Sequence, residues 1–247
     1  MEVLQVVYAA DVLVVGFPAL AFATNCYVVA PAAGQECVVV DPGVGVEGRL
    51  AETLATHGLR PAAVLLTHGH LDHVFAVTPV CSGYGVAASI HADDTYRLAD
   101  PLATLDPALV AMFEQEFGRR AGWGEPADVV RLADGQRLQI AGLDIDVVHA
   151  PGHTEGSVMF AFPTVPAGVL GHDAGDGTLL AGDVLFAGSV GRTDLPGGDP
   201  DAMVRSLTGK VLPLPDGTLV LPGHGPATTI GRERRSNPFL LELAHSA

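Results

Sequence analysis

The chain has 247 residues, with 28 Asp and Glu against 13 Lys and Arg, a formal charge of −15, and 48% hydrophobic residues against 17% charged. A field of that sign repels phosphate backbones and excludes DNA or RNA as a natural partner. The apolar content excludes a disordered or fibrous chain, and the length suits one core, read as a single domain over residues 1–247.

Cys26, Cys37 and Cys81 are scattered and odd in number, so no disulfide framework is expected and a reducing compartment is the simpler reading. No basic stretch precedes the first apolar residues, and Gly16 and Pro18 interrupt the run from Val12 to Phe22. The expectation is a cytoplasmic protein with no membrane partner.

In chain order, short β-branched runs at Val12 to Val15, Cys26 to Val29 and Cys37 to Val40 predict strands, the last ending at Asp41-Pro42-Gly43. Helical spacing follows from Val46 to His57, and Ala63 to Leu66 returns to a strand. That strand runs into Thr67-His68-Gly69-His70-Leu71-Asp72-His73, read as a loop, with a helix from Val74 to Cys81. Polar residues at the carboxyl end of a strand mark where layered α/β sheets bind ligands. Ile90-His91 predicts a strand and Pro107 to Arg119 a helix, within a stretch, 93–124, whose fold the pattern does not define. Further strands are expected near Gln139 to Ile140, Ile145 to Val148, Val158 to Phe160, Thr178 to Leu180 and Thr218 to Leu221. A helix is expected around Pro200 to Lys210, and a surface turn at Gly171 to Gly177.

His-x-His-x-Asp-His packs four candidate metal donors into six residues, and on a tight loop such density brings imidazoles and a carboxylate to a common centre. Three more loops, each after a strand, offer one donor apiece: His153 in Pro-Gly-His-Thr, Asp183 in Gly-Asp, and His224 in Pro-Gly-His-Gly. Glycines beside them let the backbone approach a metal without a Cβ clash. Seven donors exceed what one tetrahedral ion uses. Two divalent ions are the economical reading, with His68, His70 and His153 on one, Asp72, His73 and His224 on the other, and Asp183 between them. Nitrogen and oxygen donors suit zinc first, with iron or manganese also compatible. The other histidines, His57, His91, His149, His172 and His245, read as ordinary residues, with His149 near enough to His153 in sequence to supply a supporting hydrogen bond.

These motifs, together with Ala181-Gly182-Asp183-Val184-Leu185-Phe186, resemble the metallo-β-lactamase superfamily and, within it, the glyoxalase II-like (hydroxyacylglutathione hydrolase-like) hydrolases. The resemblance spans nearly the whole chain. It implies a four-layer αββα sandwich, a dinuclear site with the same donor sets, and a thioesterase that cleaves acyl-thiol conjugates with a metal-bridging hydroxide, which Asp72 would help orient. Two departures bear on substrate. Only Pro226 to Ala247 follow the Pro222-Gly223-His224-Gly225 loop, where the longer glyoxalase II enzymes carry a glutathione-gripping helical region, and Gly191-Arg192-Thr193-Asp194 looks like the shorter, single-domain bacterial members. Aspartate at 183, where the main zinc β-lactamases place a cysteine, argues against antibiotic hydrolysis as the principal activity.

Arg192 has two readings: a planar fork for a substrate carboxylate, or an ion pair with Asp194. The alternative activity is a mononuclear iron persulfide dioxygenase, in which His68, His153 and Asp183 hold one iron; it leaves His224 without a task.

Overall fold

The structure is a computed structural model that describes residues 12–103, 107–117, 124–166 and 175–246. Its architecture follows from the period-2 alternation of the early strands. In β2 (Asn25–Ala30) and β3 (Glu36–Val40), Val28 and Val39 point one way, into a cluster with Leu50, Leu54, Val77 and Val80. Their neighbours Val29 and Val38 point the other way, against Ile145, Val147, Phe160, Leu180 and Leu221. The first group faces helices α1 (Glu47–His57) and α3 (Val77–Tyr84); the second faces another sheet.

The first sheet has the order β1 (Leu13–Pro18), β2, β3, β4 (Arg60–Leu65), β5 (Ala88–His91), β6 (Val129–Leu132). The second runs β14 (Thr228–Thr229), β13 (Leu219–Pro222), β10 (Thr178–Gly182), β9 (Val158–Phe162), β8 (Leu143–His149), β7 (Arg137–Ile140). Its outer face, with Met159, Leu179 and Val220, packs on Met203 and Leu207, Ile230 and Leu240, which belong to α5 (Pro200–Ser206) and the turn after it, α6 (Ile230–Ser236) and α7 (Pro238–Ser246). Helix, sheet, sheet, helix is the αββα sandwich expected, and nearly all of these apolar side chains are under a tenth exposed.

Direction matters for the site. Strands β3, β4, β5 and β6 are mutually parallel, so Asp41, His68 and His91 all emerge at one edge of the first sheet. In the second, β10 and β13 are parallel and β8 shares their direction through antiparallel β9, so His153, Asp183 and His224 emerge together as well. A small hairpin, β11 (Leu185–Phe186) with β12 (Ser189–Val190), follows Asp183. Its turn is pinned by buried Glu233, which accepts the Gly188 N–H at 2.7 Å and the Thr228 hydroxyl at 2.6 Å.

The predicted elements shift in a few places. The donor motif is not all loop, because His70, with extended backbone at ψ 145°, starts a short helix, α2 (Leu71–Val74), that carries Asp72 and His73. A carboxylate in a first helical turn faces unpaired N–H groups, which makes that start favourable. The helix expected from Val74 begins at Val77 instead. The helix predicted over Pro107 to Arg119 is α4 (Pro107–Phe117), its last two positions lying outside the described residues, as do His172 and residues 171–174 of the predicted turn. Pattern reading did not find β6, α6 or α7. Among the described residues no helix is long and apolar enough to cross a membrane, and Cys26, Cys37 and Cys81 are buried free thiols.

Candidate metal centre

All seven predicted donors meet in one place. His68, His70 and His153 each offer one donor atom within 4.8 Å of the others, as do Asp72, His73 and His224, and likewise His68, His73 and Asp183. Asp183 stands between the first two groups, with Oδ2 3.5 Å from both His153 Nε2 and His224 Nε2 and Oδ1 3.4 Å from His73 Nε2. Asp72 Oδ2 lies 3.2 Å from His224 Nε2 and 3.5 Å from His73 Nε2.

Glycine makes the convergence sterically feasible at two points. Gly182 adopts φ +48°, and a Cβ there would sit 2.6 Å from Thr67 Cβ; a Cβ on Gly223 would run into Asp183 Oδ1 and His73 Cε1. Any side chain at either would push the second sheet's loops away from the first.

The imidazole tautomers follow from the hydrogen bonds made on the far side of each ring. His73 Nδ1 meets Asp41 Oδ2 at 2.9 Å, and His153 Nδ1 meets the Arg192 carbonyl at 2.8 Å, so each carries its proton on Nδ1. The Thr67 hydroxyl gives its single proton to Asp41 Oδ2 at 2.6 Å and therefore accepts from His68 Nδ1 at 3.1 Å. All three rings consequently turn a bare Nε2 inward. His70 instead presents Nδ1, which lies 2.8 Å from His153 Nε2.

Buried polar atoms normally find partners, yet His68 Nε2, His73 Nε2 and Asp183 Oδ1 are buried with no hydrogen bond. Three orphaned metal-donor atoms aimed at one centre, the two imidazoles anchored on their outer nitrogens by Thr67 and Asp41, fit divalent cations. Charge agrees. Burial, with His73 and His153 adding to it, drives His68 well below its ordinary pKa, and burial drives His70 down to about 3, so these rings are neutral and able to donate a lone pair. Burial would likewise lower His224, but its hydrogen bonds to Asp183 and Asp72 outweigh that and push it up to about 9. Protonated imidazole there balances two carboxylates that a metal would otherwise neutralise.

The sequence reading missed three supports. Asp41, which it took for the end of a strand, is 2% exposed and at φ +50°; besides His73 and the Thr67 hydroxyl it accepts the Thr67 N–H at 2.8 Å. Asp94, fully buried, accepts the Gly69 N–H at 2.8 Å, the Thr154 hydroxyl at 2.7 Å and the Gly156 N–H at 3.0 Å, so it ties the His68–His70 loop to the His153 loop. Thr24 and Asn25 reach across from the first sheet: the Thr24 hydroxyl donates to Asp72 Oδ2 at 2.7 Å, and Asn25 Nδ2 donates to the carbonyls of Pro222 and Gly225, which flank His224. Only Asp-Pro-Gly after a strand could have flagged Asp41; the other two act over long separations.

The Arg192 guanidinium pairs bidentately with Asp194 at 2.7 Å and 2.7 Å on the exposed surface, the second of its two readings. Its backbone carbonyl, rather than its charge, reaches the centre. His149 does not supply the supporting bond to a metal donor; its Nε2 meets the Glu155 carbonyl at 2.8 Å instead.

A two-sheet sandwich with a cluster of histidines and aspartates on one edge defines a metal-site α/β protein. The family model described as the Metallo-beta-lactamase superfamily matches residues 19–224, and the chain belongs to that superfamily, whose members typically bind one or two metal ions. It is 33% identical over 230 residues to the hydroxyacylglutathione hydrolase GloC of Haemophilus influenzae, across 90% of this chain and 95% of that one. Among solved structures, it is similar to the B3 metallo-beta-lactamase BLEG-1, with 37% identity, TM-score 0.74 and coverage of 92% of this chain and 99% of that one. It is also similar to TTHA1623 in a di-iron-bound form, with 36% identity, TM-score 0.71 and coverage of 91% and 99%. The superfamily and the donor cluster together make this a metal-dependent hydrolase.

Proposed function

We propose that the chain is a dinuclear thioesterase of the glyoxalase II-like type, acting on small acyl-thiol conjugates. The observation that carries this reading is Asp183, whose Oδ2 lies 3.5 Å from both His153 Nε2 of one donor group and His224 Nε2 of the other, with Oδ1 3.4 Å from His73 Nε2. His68, His70 and His153 would hold one divalent ion and Asp72, His73 and His224 the other, with zinc the first candidate. Two such ions supply a water whose pKa falls from about 15.7 towards about 7 and polarise an acyl oxygen.

The chain's own groups do the rest. Asp41, Thr67 and the Arg192 carbonyl keep three imidazoles in the donating tautomer. Thr24 occupies one lone pair of Asp72 Oδ2 and fixes the carboxylate's orientation. A thioester needs no general acid, because a thiolate with a solution pKa of about 8.5 leaves without a proton. An ester or amide would leave as a far stronger base. The likeness to GloC supports the thioester class, and the likeness to BLEG-1 calls for a β-lactam as competitor.

The test is a panel of thioesters, including lactoyl conjugates of several thiols, with an oxygen ester and a β-lactam, assayed on metal-reconstituted protein. The reading expects kcat/KM for the best thioester to exceed both others at least tenfold. A β-lactam turned over faster than every thioester contradicts it. A persulfide dioxygenase using His68, His153 and Asp183 is the second reading, favoured only if one iron per chain supports oxygen uptake with a persulfide. It gives no role to His224, which lies against Asp72 and Asp183.

A further inference from the structure

A second cluster of metal-binding side chains shares no residue with the first. His91 ends β5 of the first sheet, and His149 ends β8 of the second. Their rings stack, with centroids 4.0 Å apart and 10° between planes, across the junction of the two sheets. Asp93 stands beside them, its Oδ2 3.7 Å from His91 Nδ1, and one donor atom from each of the three lies within 4.8 Å of the others.

The hydrogen bonds fix which ring nitrogens at this junction can face a cation. The Glu155 carbonyl can only accept, so the His149 proton is on Nε2 and its Nδ1 is bare. The Asp93 N–H donates to His91 Nδ1 at 3.3 Å, so that nitrogen is unprotonated, and a cation would take its lone pair in place of this long bond. Burial and the neighbouring His149 hold His91 below its ordinary pKa, which keeps the ring in its neutral, metal-binding form. The charges that act on His91 from the surrounding elements are Asp93, Asp94 and Asp134, the last also paired with Lys210 at 3.1 Å. Two stacked imidazoles beside a carboxylate, inside an acidic surround, make the donor set of a cation site.

We propose that His91, Asp93 and His149 bind a further divalent transition-metal ion, zinc in the first instance, that staples the two sheets together. With Zn–N bonds of about 2.0 to 2.1 Å, the parallel rings must tilt towards one another. Half-buried His149 has room to tilt, and the Asp93 side chain, 57% exposed, has room to swing in. Water completes the set. Asp93 adjoins Asp94, which braces the His68–His70 and His153 loops, so an ion here stiffens the scaffold of the main centre without touching it.

The test uses full-length protein without a polyhistidine tag, saturated with zinc chloride by equilibrium dialysis and analysed for bound metal. Wild type is expected to hold one zinc more per chain than His149→Ala. Asp93→Asn, a change at an exposed carboxylate that keeps the fold, is expected to weaken that extra ion at least tenfold. Equal zinc content in wild type and His149→Ala, or, should that variant not fold, unchanged affinity in Asp93→Asn, overturns the proposal. The readout is a difference of one ion, so it stands whether the main centre takes one metal or two.

Discussion

The two halves of the main centre are built differently. His68, His70 and His153 sit on loops tied together by one buried carboxylate, Asp94, and His68 and His153 are 1% and 3% exposed. The Asp72, His73 and His224 group is hung across the two sheets: Asp72 and His73 come from the first, His224 from the second, and the His224 side chain is 30% exposed. Both groups therefore span the sheets, since His153 comes from the second; the first is locked by the buried Asp94 brace, whereas the second depends on the sheets holding register through Thr24, Asn25 and Tyr27. Rigidity and access are thus divided, and the ion near His224 should be the more exchangeable.

That contrast can be broken most severely at the shared residue. Asp183→Ala removes the carboxylate that faces both groups, and turnover should fall to background while circular dichroism stays native; undiminished turnover would remove Asp183 from the mechanism. Next comes the brace of the first group. Asp94→Ala strips the carboxylate from fully buried surroundings, frees the donors of Gly69, Thr154 and Gly156, and leaves Arg97, itself 2% exposed, with Glu155 as its remaining acidic partner. Breaking a buried pair costs about 3–5 kcal/mol, which a urea melt would register as a lower midpoint with similar slope.

Asp41→Asn is gentler, since the amide keeps the shape but can turn a donor towards His73 Nδ1 and disturb its tautomer. Removal of such supporting partners typically lowers metal affinity 10–100-fold, and competition with a chromophoric chelator should show the loss in the His73 group first. The smallest change is Tyr27→Phe, which deletes one hydrogen bond to the Pro222 carbonyl at 2.8 Å. About 0.5–1.5 kcal/mol of stability should go, with the weaker ion leaving faster in a chelator chase and the tighter one unaffected. Equal acceleration of both ions would show that the halves are not distinct.

Much of this was readable from residues alone, for physical reasons. The strands of the inner layers are short β-branched runs whose period needs no tertiary information, and the donors cluster because a metal demands several side chains within a few ångströms. What escaped was non-local. Asp41 looks like any aspartate before Pro-Gly, and its value lies in meeting His73, 32 positions on. Asp94 falls in the segment whose pattern was least informative, yet it contacts residue 154, 60 positions away. Thr24 and Asn25 lie at the start of β2, just after the turn from β1, and only the folded chain brings them beside His224. His91 and His149 were likewise unremarkable one at a time, because a stack between two sheets leaves no trace in spacing. The start of α2 at His70 was hidden by reading the whole donor motif as loop, although Asp72 in a first turn suits a helix.

The central claim is that one carboxylate holds two ions in place, and anomalous diffraction from zinc-loaded crystals tests it most directly. Two peaks about 3.5–4 Å apart, one on the His70 and His153 side and one on the His224 side, with Asp183 between them, are the predicted result. A single peak, or a pair with Asp183 turned away from both, would contradict it.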